Sequence, residues 1–135
     1  MMEILQPPGW PRPRGYSNGV AASGRQVFVS GMIGWNAHGH FDSDDFALQA
    51  RQALLNVVEV LREAGARPAH IVRMTWYVLD KREYLAASEA LGAAYREIIG
   101  KHYPAMTAVE VRALIEDRAR VEIEVTAVVP EEGVS

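Results

Sequence analysis

Three carboxylates stand out as the side chains best placed to do chemistry. Glu110, Glu122 and Glu124 fall in stretches rich in Val, Ile and Thr, which read as strands, and a carboxylate on a strand is held more rigidly than one on a surface helix. Such a group can position or deprotonate a water molecule. The alternative is structural: each can form an ion pair with Arg73, Arg112 or Arg120, and spacing alone does not rank the two roles. His38 and His40 form HGH in a glycine-rich segment with no third ligand at useful spacing, so a metal site is not indicated. Ser17, Ser23, Ser30 and Ser88 lack the surroundings of a nucleophile and suit turns and caps. With no cysteine in the chain, thiolate catalysis, disulfides and cysteine-ligated zinc are excluded.

The elements that must carry these residues follow from periodicity. Gln6 to Arg14 holds four prolines and reads as an extended arm over the surface, with Trp10 packing on the body of the chain or on a neighbour. Tyr16 to Ala22 and Gln26 to Ser30 are β-rich and flank Ser23, Gly24 and Arg25, the signature of a hairpin. A long Gly, Asp and Asn-rich loop follows, in which Ser43 or Asp44 can cap a helix over Asp45 to Ala64. Its apolar stripe is Phe46, Ala50, Ala53, Leu54, Val57, Val58 and Leu61, ending at Gly65. A strand at Ile71 to Leu79, a helix at Arg82 to Ile99, and strands at Thr107 to Val111 and Arg120 to Val129 complete the order ββαβαββ. Strands separated by helices imply crossovers, hence an α+β fold with a mixed sheet and both helices on one face.

Alternation sorts the faces of that sheet. Val121, Ile123, Val125, Ala127 and Val129 lie on the helix side with Val72, Met74, Trp76 and Val78. Glu122, Glu124, Thr126 and Val128 lie on the opposite side with Arg73, Thr75 and Tyr77. That second face is either solvated or, given its aromatic and β-branched content, covered by copies of the same chain.

The 135 residues suit one domain, expected over residues 16–130 between an arm at 1–15 and a tail at 131–135. Nearly half are apolar, and the net charge of −3 is spread without a basic stripe, which argues against nucleic-acid binding. No basic leader and no apolar run of membrane-spanning length is seen, so cytoplasm and no membrane partner are expected.

Six segments, GYSNGV, VFVSGMIG, ARQALLNVVEVLREAGA, IVRMTWYVLD, YPAMTAVEV and VEIEVTAVV, together resemble the RidA (YjgF) family from about Tyr16 to Val129. The resemblance implies a chorismate-mutase-like fold, a homotrimer with ligand clefts between subunits, and hydrolysis of small-molecule enamines or imines to a keto acid and ammonia without metal or other cofactor. Carried across, the family's site residues are Tyr16, Gly31 and Glu122, with Glu122 placing the attacking water and backbone groups of Ala105, Met106 and Thr107 polarising the substrate.

One position departs from the pattern. The family motif P-A-R-S/T reads Pro104, Ala105, Met106, Thr107, so the guanidinium that grips a substrate carboxylate is missing. Losing such a contact to a buried anion costs on the order of 2 to 5 kcal/mol. Three readings remain open. The segments GYSNG, MTWYVLDKREY, YPAMT and EDRARVEIE are similar to the 2-aminomuconate deaminase branch of aromatic catabolism, whose substrate has two carboxylates; Arg14, Arg73, Arg112 or Arg120 would then supply the cation. A binding or sensing trimer would use Met106 and Trp35 around an apolar or neutral ligand without turnover. The third reading, a ribonuclease, conflicts with the acidic balance.

Overall fold

The last strand organises the molecule. In the computed structural model, which describes residues 2–131, Val121–Val129 runs through the middle of a four-stranded sheet with its odd residues buried from Val121 to Ala127. Its neighbours are Arg25–Met32 and Ile71–Val78, both antiparallel to it, and Ala105–Glu110 lies outermost, parallel to Ile71–Val78. Two further strands, Met2–Leu5 and Gly19–Ala22, pair antiparallel as a separate ribbon. In chain order these are β1 (Met2–Leu5), β2 (Gly19–Ala22), β3 (Arg25–Met32), β4 (Ile71–Val78), β5 (Ala105–Glu110) and β6 (Val121–Val129), and the main sheet runs β3-β6-β4-β5.

Helix α1 (Phe46–Glu63) covers the sheet with Phe46, Ala50, Ala53, Leu54, Val57 and Leu61 buried, the stripe its periodicity predicts, and Val58 packs at its margin. Gly65, at φ 70°, takes the left-handed conformation that ends it. Its N-cap is Asp45, whose carboxylate accepts from the Leu48 N–H; Ser43 and Asp44, the expected caps, lie two residues and one residue too early, and Ser43 instead accepts from Asp45 N–H. Gln49 is the unforeseen member of this helix's inner face. It is 2% exposed, donates to the carbonyls of Ser43 and Arg118, and accepts from Arg120 N–H, tying the long loop to the entry of β6.

The expected order needs three corrections. β2 and β3 form no hairpin: β2 pairs with β1, and β3 pairs with β6, so the turn at Ser23 and Gly24 joins two ribbons rather than two partners. The residues before the proline run are therefore ladder-forming, and the order becomes βββαβααββ. The second helix is two, α2 (Lys81–Ala86) and α3 (Ser88–Ile98), because Ala87 leaves helical geometry between them. The break lets Tyr84 sit edge-on to both Phe46 and Trp76 while Leu91 and Tyr95 close over the core. The apolar stripe runs through both pieces, which hides the break from periodicity.

A bulge shifts the face assignment at one residue. Between Ile71 and Arg73 the pairing with β6 slips, so Ile71 is fully buried and Val72, assigned above to the helix side, is the extra residue. From Arg73 to Val78 the alternation holds. Trp10 is 60% exposed, so its own chain leaves most of it uncovered, and residues 132–135 of the expected tail lie outside the described residues. Among the described residues no helix is long and apolar enough to cross a membrane.

Candidate functional site

The strands hold the expected site residues in two groups, on opposite faces of one sheet. Glu122 lies on the face away from the helices, opposite Tyr77 in the β4–β6 register. Beside it β3 carries an irregularity between Val29 and Met32, and Gly31 sits within it. A Cβ on Gly31 would come 1.8 Å from Glu122 Oε2, 2.6 Å from Cδ and 2.8 Å from Cγ. The glycine is thus required by a carboxylate that occupies the space where its side chain would be. The Glu122 carboxylate makes no ion pair or hydrogen bond with the described residues.

The other two candidate carboxylates are engaged. Glu124 accepts a hydrogen bond from the Tyr77 hydroxyl, which raises the tyrosine's pKa, chiefly through that bond and with further contributions from partial desolvation and the charges of Glu124 and Glu122. Glu110 accepts from Lys81 N–H at the start of α2, a structural cap. Among the described residues neither forms an ion pair with the arginines expected from sequence: Arg73 lies on the same face as Glu124 without a salt bridge, and Arg120 Nε donates to both carboxylate oxygens of Glu83, at 2.8 and 3.0 Å, fixing α2 to the start of β6.

Met106 faces the other way. It is paired with Met74, a core residue, so its side chain shares the helix side of the sheet, whereas Ala105 and Thr107, paired with Arg73 and Thr75, share the face that holds Glu122. Met106 forms part of the floor of a cavity of about 430 Å³ together with Trp76, walled by Tyr84, Leu91 and Tyr95 and rimmed by Tyr16 and Arg14. Tyr16 is brought there by a clamp: Ser17 N–H donates to the Pro104 carbonyl at 2.9 Å, and Ser17 Oγ donates to the carbonyl of Tyr103. Tyr103 stacks on Tyr95, centroids 5.7 Å apart, and the Tyr95 hydroxyl donates to the His102 carbonyl.

Burial pushes the Tyr95 hydroxyl far up, with Tyr103 adding to the effect, and burial also raises Tyr84. These phenols stay neutral at physiological pH. The Trp76 indole N–H, on a residue 4% exposed, is the buried side-chain polar atom left without a partner among the described residues.

Of the cations considered from sequence, only Arg14 reaches this cavity. Arg73 lies on the opposite face beside Glu124, Arg112 is not among the lining residues, and Arg120 is held by Glu83. Trp35 is absent from it too, packing edge-on against Phe41 in the long loop. The residue that sequence reasoning missed is Arg96 of α3, which lines the cavity with no ion-pair partner among the described residues. The available signal was Gly92, one turn earlier, a glycine inside a helix with no turn to make. Among the described residues no three His, Asp or Glu side chains come together as a metal would need.

The α+β fold, with helices on one face of a mixed sheet and a glycine-backed carboxylate on the other, is that of the RidA/YjgF class. The family model described as Endoribonuclease L-PSP matches residues 11–129, and the chain belongs to that family. A 2-iminobutanoate/2-iminopropanoate deaminase of Homo sapiens is 32% identical, the match covering 84% of this chain and 79% of the relative. A RutC family protein of Aquifex aeolicus (strain VF5) is 34% identical over 94% of this chain and 99% of its own length. Among solved structures, YyfB of the Rid protein family from Yersinia pestis, described as of unknown function, superposes with a TM-score of 0.82 at 33% identity, covering 95% and 98% of the two chains. E. coli TdcF with bound serine superposes with a TM-score of 0.69 at 29% identity, covering 94% and 98%.

Proposed function

We propose that this protein is an enamine or imine deaminase that works without a metal in clefts between the subunits of a homotrimer. The observation that carries the reading is the free Glu122 carboxylate held against Gly31, in a family whose named members include imine deaminases. Water adds to the carbon of the protonated imine while Glu122 takes one of its protons; Glu122 returns that proton to the amino nitrogen of the carbinolamine, the C–N bond breaks to release ammonia, and the hydroxyl gives up its proton, back to Glu122 or to the ammonia, as the keto acid forms. An enamine substrate first gains a proton on carbon to become the imine. The intersubunit placement is supported by the two-sided arrangement: one chain cannot present Glu122 and Met106 to the same small molecule from opposite faces of a sheet, whereas the edge of one copy can meet the open face of another. Exposed Phe28, 72% accessible on that open face, supports the same assembly.

The candidate substrate is 2-aminomuconate, an enamine with two carboxylates, processed in a cytoplasmic route of aromatic catabolism. Ammonia release from it by the purified protein, abolished in Glu122→Ala, is the expected result; turnover that survives this substitution refutes the mechanism.

Met106 favours a second reading, a binding or sensing trimer without turnover. The two differ on a direct test: under the deaminase reading, Met106→Arg creates or raises activity on 2-iminopropanoate, and under the binding reading neither protein hydrolyses any enamine offered.

A further inference from the structure

The cavity floored by Met106 and Trp76 has a charge pattern that its own chain does not balance. Its lining contains two arginines, Arg14 from the arm and Arg96 from α3, and no aspartate or glutamate, in a chain whose net charge is −3. Neither arginine forms an ion pair among the described residues, although four other arginines do. With no carboxylate in the lining, and with burial raising the pKa of Tyr84 and Tyr95, the positive charge stands uncompensated. Unpaired guanidinium groups over aromatic walls are a site for a carboxylate on a flat, unsaturated body.

The position of Arg96 is built in. A Cβ on Gly92 would come 3.2 Å from its Nη1 atom, so the guanidinium lies back over the preceding turn of α3 toward the cavity. Glycine costs a helix interior about 1 kcal/mol relative to alanine, and the room it leaves here is used by Arg96.

We infer that Arg96, with Arg14, takes over the carboxylate-gripping role that position 106 has given up, and that the ligand is an unsaturated dicarboxylate lying on the Met106 and Trp76 floor. This rests on the dicarboxylate reading of the site above and assigns the side chains that hold the carboxylates. Moving the cation from the floor to the rim places the carboxylates farther out, with an apolar surface beneath the chain that joins them.

The test is calorimetric titration of the assembled protein with three probes: trans,trans-muconate, the monocarboxylate sorbate, and the neutral diamide of muconate. Muconate is expected to bind tightest and the diamide weakest. Arg96→Gln is expected to weaken muconate by about 10- to 100-fold, the loss of a charge-assisted pair, with Arg96→Lys recovering part of it and the diamide unaffected. Arg14→Gln is expected to narrow the gap between muconate and sorbate. Both arginines are on the exposed rim, so thermal melts of the variants are expected to match the parent. The inference is overturned if muconate does not bind, if the diamide binds as well as the diacid, or if Arg96→Gln keeps the parent affinity. Turnover by the parent protein separates the two proposals: Arg96-dependent muconate binding in a parent that turns over no enamine sinks the deaminase reading and leaves this one standing, whereas enamine turnover that Glu122→Gln abolishes, with muconate affinity unchanged in Arg96→Gln, sinks this one alone.

Discussion

Gly31→Ala isolates the placement of one carboxylate from everything else in the molecule. Gly31 is not among the residues with positive φ, so alanine meets no backbone strain there. The new methyl would stand 1.8 Å from Glu122 Oε2 and 2.6 Å from its Cδ, where nonbonded contacts need about 3.5 Å. The carboxylate must therefore swing away by more than an ångström. The structural cost is small: an off-rotamer side chain costs about 0.5 to 1.5 kcal/mol, offset by about 0.4 to 1 kcal/mol from the stiffer unfolded chain. The chemical cost is larger, because a misplaced general base loses about 10²- to 10⁴-fold in rate, some 3 to 5 kcal/mol of barrier. The expected outcome is a kcat/KM for imine hydrolysis reduced by at least about a hundredfold with a melting temperature within a few degrees of the parent. Since the methyl acts only through Glu122, Gly31→Ala combined with Glu122→Ala is expected to be no slower than Glu122→Ala alone. A Gly31→Ala enzyme within threefold of the parent, roughly 0.7 kcal/mol, or a double variant much slower than Glu122→Ala, refutes the assignment.

Three other perturbations test the frame around the site. Gln49→Ala leaves the Ser43 and Arg118 carbonyls and the Arg120 N–H without their partner, and is expected to cost about 3 kcal/mol or more in a denaturant titration. His70 accepts from Arg67 N–H through Nδ1, and burial, then the charges of Arg67 and His102, lower its pKa below 6.5. The unfolded state therefore binds the proton more readily, so the His70 contribution is full above pH 6.5 and lost as the pH falls below it; the parent's melting temperature is expected to drop more than that of His70→Gln between pH 7.5 and 5.5. Phe28→Glu puts a charge on the exposed face beside Thr126, and light scattering is expected to show the proposed trimer dissociating while circular dichroism shows the chain still folded.

The parts of the fold legible in the sequence are those set by a single periodicity. Helix α1 ends within a residue of the stretch marked by its stripe and Gly65, and the alternation of β6 separates Val121, Ile123, Val125 and Ala127 from Glu122 and Glu124 as expected. What failed depends on pairing between distant segments. The turn at Ser23 and Gly24 has the chemistry of a hairpin, but strand partners are chosen by burial, and the inner face of β6 gives β3 more to bury than β2 can. The bulge at Val72 and the break at Ala87 likewise answer to what packs above them, and leave no mark in a run of apolar residues.

For the site, motif and geometry carry different information. The sequence segments locate Glu122, Gly31, Tyr16 and Met106 one by one, and reading them together suggests one constellation; the sheet divides that constellation between its two faces. Three-residue motifs such as Ala105, Met106, Thr107 necessarily alternate across a strand, so the side chain at 106 and the backbone flanking it serve opposite sides. This is why replacing the family arginine by methionine does not disturb the carboxylate at Glu122: the two belong to different surfaces of the chain, and in the proposed assembly they meet only where two copies meet. It is also why the compensating cation could not be found on the strands. A residue that substitutes for position 106 must come from the helix side, and Arg96, one turn beyond a glycine with no turn to make, is the side chain that α3 sends there.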